Sequence, residues 1–102
     1  MRKIIAGKVY DTKNAEFIGS DQYGNAQDFK HWYEALYRTK HGKLFLYGEG
    51  GPATKYKKEV GCHTWSGGET LILMSESEAR LWAEEHLTVE EYEDAFGPAE
   101  EG

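Results

Sequence analysis

The chain is poor in cysteine and in long apolar runs. Cys62 is its one cysteine in 102 residues. That excludes an internal disulfide and fits a reducing compartment. No apolar run approaches the roughly 20 residues of a membrane-spanning helix. The stretch Leu71 to Met74 is followed at once by Ser75. Met1 leads into Arg2-Lys3-Ile4-Ile5-Ala6-Gly7, whose apolar part is too short for the central region of a signal peptide. A soluble, cytoplasmic protein without membrane contact is expected.

Standard site signatures are also missing. Gly48-Glu49-Gly50-Gly51-Pro52-Ala53-Thr54-Lys55 is glycine-rich, but Thr54 stands where a phosphate-binding loop needs glycine before the lysine. Pro52 lacks the N–H such a cradle uses. The dinucleotide pattern fails on glycine spacing as well. Cys62-His63, with His31, His41 or His86, lacks the paired short spacing of a zinc site. Adjacent Cys and His side chains in an extended loop point apart, which weakens a thiol–imidazole pair. No catalytic residue, metal or cofactor is assigned.

Basic residues are scarce in the last third. Residues 69–102 hold Arg80 against 11 acidic residues, a net of −10. Residues 1–68 hold 11 Lys and Arg against 7 acidic residues, a net of +4, and the two sum to the overall −6. Asymmetry of this kind points to a charged partner rather than to a fold.

What is abundant is aromatic: 7 Tyr, 4 Phe and 3 Trp. Rings bury large areas and make one core affordable in a short polar chain. Lys3 to Tyr10 reads as a first strand and Ala15 to Ser20 as a second, joined through Asp11-Thr12-Lys13-Asn14. Residues 21–28 read as a polar loop. Phe29, Trp32, Tyr33, Leu36 and Tyr37 match a helical template, yet their ring-rich composition favours a strand. A hairpin of residues 36–39 and 43–47 about Gly42 is preferred, with a helix before Leu36 as the competitor. Residues 48–52 and 61–68 read as glycine-rich breaks, and Glu69 to Met74 as a strand buried on both faces.

Ser75-Glu76-Ser77-Glu78 and Thr88-Val89-Glu90-Glu91 are two capping boxes. The first opens a helix to about Leu87, with Ala79, Trp82, Ala83 and His86 on one face. The second opens a short helix with Val89, Tyr92 and Phe96 as its stripe, ended by Gly97-Pro98. The expected fold is α+β, an antiparallel sheet of about four to five strands followed by two short C-terminal helices. Residues 1–98 form one domain and 99–102 a frayed acidic tail.

Two surfaces can carry function. Glu84, Glu85, Glu90, Glu91, Glu93 and Asp94 lie on consecutive helices, and such a row of carboxylates can imitate phosphates before a basic groove. Arg38, Lys40, Lys43, Lys55, Lys57 and Lys58, among rings such as Tyr47 and Tyr56, have the composition of a single-strand binder. The acidic and basic regions could also pair across a homodimer.

Several segments carry a resemblance. They are Gly7-Lys8-Val9-Tyr10-Asp11-Thr12, Leu36-Tyr37-Arg38-Thr39, Phe45-Leu46-Tyr47-Gly48-Glu49-Gly50-Gly51-Pro52, Trp65-Ser66-Gly67-Gly68-Glu69, and Glu78-Ala79 through Trp82-Ala83-Glu84-Glu85. Together they resemble a family of short proteins of bacterial mobile elements and phages. The resemblance implies an accessory protein that counters host defence, of which anti-CRISPR proteins are the best-known class. It implies no catalytic residues. The first expectation is therefore a non-enzymatic inhibitor whose partner is a host protein with a basic nucleic-acid-binding groove, such as a CRISPR effector nuclease. The alternative is a small nucleic-acid-binding accessory protein using residues 36–58.

Overall fold

A four-stranded antiparallel sheet organises the chain in the computed structural model, which describes residues 1–102. Its strands are β3 (Glu16–Tyr23), β4 (Trp32–Arg38), β5 (Leu44–Gly50) and β8 (Gly68–Met74), in the order β3-β4-β5-β8. Two separate hairpins accompany it: β1 (Arg2–Ile5) with β2 (Lys8–Asp11), and β6 (Lys58–Gly61) with β7 (Thr64–Ser66). The helices α1 (Glu76–His86) and α2 (Val89–Phe96) close the chain. The architecture is thus α+β, with the sheet and both terminal helices as expected.

Strand periodicity assigns the two faces. Leu36, Leu44 and Leu46 point to one side, where Ala79, Trp82 and Ala83 of α1 pack on them. The two alanines are fully buried, so the helix axis lies close to the sheet. Ile18, Leu87, Tyr92 and Phe96 extend this core towards α2. Phe45 and Leu71 point the other way and meet Tyr10 of the first hairpin, with Tyr10 edge-on to Phe45 at 5.8 Å. The sheet is therefore sandwiched between the helices and the β1–β2 hairpin.

Both helix starts follow the capping-box chemistry. Ser75 Oγ accepts from the Glu78 N–H at 3.1 Å while Glu78 Oε1 accepts from the Ser75 N–H at 2.9 Å. Thr88 and Glu91 repeat the exchange at 3.2 and 3.0 Å. Each box satisfies two backbone N–H groups that would otherwise lack partners.

Several expectations are corrected. Residues 3–10 are two strands, not one. They reverse at Ala6-Gly7, where both residues have positive φ, 51° and 78°. A turn of this shape is normally built from Asn or Gly, so Ala6 hides it from a sequence reading. Residues 32–38 are strand throughout, because cross-strand pairing on both sides outweighs the helical spacing. Gly42 does take the left-handed conformation at φ 82°. The glycine-rich run 48–52 does not break β5 before Gly50, and residues 61–68 include the β6–β7 hairpin. Likewise, β3 runs on through Tyr23 into the segment read as a loop. The apolar β8 is an edge strand, not a central one, and Ile72 is 40% exposed. Val89 lies outside the α2 stripe at 73% exposed, leaving Tyr92 and Phe96 to pack.

Candidate functional site

The polar centre of the molecule is a carboxylate in the middle of the sheet. Glu34 sits on β4 opposite Asp21 of β3 and Gly48 of β5, on the helix-facing side. It is only 3% exposed. A buried charge is tolerated when donors surround it, and three do here. Trp82 Nε1 donates to Oε1 at 2.8 Å. Lys55 Nζ lies 2.8 Å from Oε2. The Tyr56 hydroxyl donates to the same oxygen. Burial alone pushes the Glu34 carboxyl up; the bonds from Lys55, Tyr56 and Trp82 together outweigh it and hold the group below the usual carboxylate range. The Tyr56 hydroxyl is pushed up by its burial and by the carboxylate it serves.

The Glu34 shift has a definite sign. A carboxyl whose folded pKa lies below its unfolded value adds stability above the unfolded value, about 4.3. That contribution disappears as pH falls through the folded value. Glu34→Gln is therefore expected to flatten the acid limb of a stability–pH profile while leaving the slope between about pH 6 and 8 unchanged. Chemical denaturation across pH measures it, and an unaltered acid limb in the variant would contradict the assignment.

The backbone is shaped around this network. A Cβ on Gly48 would fall 2.0 Å from the Tyr56 Oη, so only glycine lets the Tyr56 ring lie across β5 and reach Glu34. Beside it, His86 at the end of α1 stacks on Trp82 at 4.8 Å and meets the edge of Trp32 at 5.6 Å. Its Nδ1 lies 2.9 Å from Asp21 Oδ2. Above these groups is a cleft of about 500 Å³, lined among others by Tyr23, Lys30, Trp32, Lys55 and His86.

The basic residues singled out by sequence do not form one surface. Arg38 is tied down: Nη2 donates to the Ala95 carbonyl at 2.7 Å, Nη1 lies 3.3 Å from Glu16 Oε1, and the guanidinium sits over Phe96. It fastens α2 to the sheet. Lys40 and Lys43 belong to the β4–β5 turn, while Lys55, Lys57 and Lys58 follow the opposite end of β5. Seven strand residues, at about 3.3 Å each, separate the two ends. Tyr47 is on the hairpin-facing side, its hydroxyl between Glu49 Oε2 at 2.5 Å and Glu69 Oε2 at 2.6 Å. Tyr56 is in the buried network. Only Lys55, Lys57, Lys58 and Tyr56 come together.

The acidic residues also divide by role. Glu84, Glu85, Glu90 and Asp94 are exposed. Glu91 is the reciprocal member of the α2 cap, and Glu93 Oε2 accepts from the Ala99 N–H at 2.8 Å. Cys62 is exposed in the β6–β7 turn. No cluster of three His, Cys, Asp or Glu side chains is arranged to hold a metal ion. No helix is long and apolar enough to cross a membrane.

Sequence reasoning missed Glu34, Trp82 and His86 as a site, and Tyr23, Lys30 and Trp32 as cleft walls. The one local signal was that Trp32 and Leu36, two residues to either side of Glu34, share its strand face. No protein-family model matches the chain, and neither a curated protein nor a solved structure matches it.

Proposed function

We propose that the chain is a non-enzymatic binding protein of a mobile element that inhibits a nucleic-acid-handling host defence enzyme, in its specific form a CRISPR effector nuclease. The observation that supports this is the set of solvent-facing carboxylates Glu84, Glu85, Glu90 and Asp94 on two consecutive helices with complete N-terminal caps. Glu90 and Asp94 are one helical turn apart, about 5–6 Å between Cβ atoms. No lysine or arginine lies on α2. Carboxylates held on rigid elements present fixed negative charge to a lysine- and arginine-lined groove. Such charge steers encounter and rejects partners of the wrong sign.

The residue roles decide how the reading is tested. Reversing Glu91 would confound charge with the α2 cap. The informative variant is Glu84→Lys with Glu85→Lys, Glu90→Lys and Asp94→Lys, which leaves both caps intact. Its affinity for a type II effector–guide complex is expected to fall on the order of 100-fold at physiological salt, with the domain still folded and its stability lowered only by the roughly 1 kcal/mol that a lysine in the first turn of α2 costs. Wild-type affinity in the variant contradicts the phosphate-mimic mechanism.

A further inference from the structure

A chain of net −6 has a cleft of the opposite sign. The cleft above Glu34 adjoins a second cavity of about 440 Å³, and Lys55 and Tyr56 line both. Taken as one groove through these shared residues, the two hold Lys30 in the first cavity and Lys57 and Lys58 in the second. Its walls carry four lysines against Glu34 and Glu69, a local balance of +2. Glu34 is spent on Trp82, Tyr56 and Lys55, and nearby Asp21 is held by His86. Lys30, Lys57 and Lys58 are in no ion pair, and the side chain of Lys55 is largely exposed despite its bond to Glu34.

Rings accompany these lysines. Tyr23 is 53% exposed and pairs across strands with Trp32 in the first cavity. Trp65 is 46% exposed, with Lys57 Nζ over its ring at 4.6 Å. Neither Tyr23 nor Trp65 belongs to either core cluster. A single exposed ring needs no explanation. A line of lysines with a ring platform near each end has the chemistry that holds unpaired bases and their phosphates together.

We infer that this groove binds single-stranded nucleic acid. A base stacks at Tyr23 and Trp32, the backbone phosphates pass Lys30, Lys55, Lys57 and Lys58, and Trp65 receives a second base. A duplex does not fit this arrangement, because its bases are already stacked and its denser charge is repelled by the acidic helices. The inference is independent of the acidic-face reading and uses none of the same residues.

The test is fluorescence anisotropy of a labelled oligothymidylate titrated with the intact protein. Saturable binding is expected at about 50 mM salt, weakening about 50-fold by about 200 mM, the drop for roughly four phosphate contacts on a single strand. Tyr23→Ala is expected to weaken binding about tenfold, the size of one stacking contact. Lys30→Glu and Lys57→Glu are expected to weaken it at least as much. All three residues are exposed, so thermal midpoints should hold. Lys40→Glu with Lys43→Glu, at the far end of the sheet, should bind as wild type. No saturable change at low salt, equal loss in the Lys40/Lys43 variant, or equally tight binding of a duplex of the same length would each overturn the inference.

Discussion

Glu34→Ala is expected to lower unfolding free energy by about 3–5 kcal/mol, a large share of the 5–15 kcal/mol typical of a small domain. The carboxylate is 3% exposed and joins three distant parts of the chain: β4, the segment carrying Lys55 and Tyr56, and Trp82 on α1. Removing it strands the Tyr56 hydroxyl and the Trp82 indole N–H without an acceptor, and each buried orphan costs about 1–3 kcal/mol. Lys55 adds little to the loss, because its largely exposed ammonium returns to water. Urea denaturation measures the effect. Adding Tyr56→Phe to Glu34→Leu should recover part of it, since donor and acceptor then disappear together. A loss below about 1 kcal/mol for Glu34→Ala would mean that the network does not hold the fold.

Gly48→Ala is expected to cost a similar amount, about 3–5 kcal/mol, through one added methyl group. Its Cβ would meet three Tyr56 atoms at 2.0–2.5 Å. The ring must leave β5, which combines an overpacking cost of about 1–3 kcal/mol with the loss of a hydrogen bond to a charged group, worth about 1.5–3 kcal/mol. The prediction is specific in its coupling. Tyr56→Ala vacates the space, so the double variant should lose less than the sum of the two single losses. Additive losses in a double-mutant cycle would show that the Tyr56 ring does not occupy that position.

The two helices were legible because their information is local. A capping box is complete within four residues, and the stripe of Ala79, Trp82 and Ala83 repeats at helical spacing. The β4–β5 hairpin was legible for the same reason, through Gly42 and the flanking apolar residues. Glu34 was not legible. Its partners are 21, 22 and 48 positions away, and its neighbours Tyr33 and Ala35 allow a solvent-facing glutamate equally well. The glycines after Tyr47 read as breakers because the sequence does not reveal that the Tyr56 ring lies on Gly48 and that Thr54 closes on Gly50. The basic cluster looked continuous along the chain, but a strand separates its halves, and Lys30 joins only through tertiary structure. Charge counting found the acidic third. It could not find that Glu91 and Glu93 are engaged in holding α2 and the segment after it.

Exposed carboxylates on α1 and α2 and the lysines of the groove form two surfaces of opposite sign. In the proposed reading the first engages a basic protein surface; the second is suited to the strand that such an enzyme handles. Each surface has its own variants, and neither set touches the Glu34 network or a helix cap.

The most direct measurement is target-DNA cleavage by a type II effector–guide complex at physiological salt, with the protein in excess over the effector. Dose-dependent protection by the wild-type chain is predicted, and its loss in the variant with Glu84, Glu85, Glu90 and Asp94 all changed to Lys. Cleavage that proceeds undiminished, or protection that survives in that variant, would contradict the account.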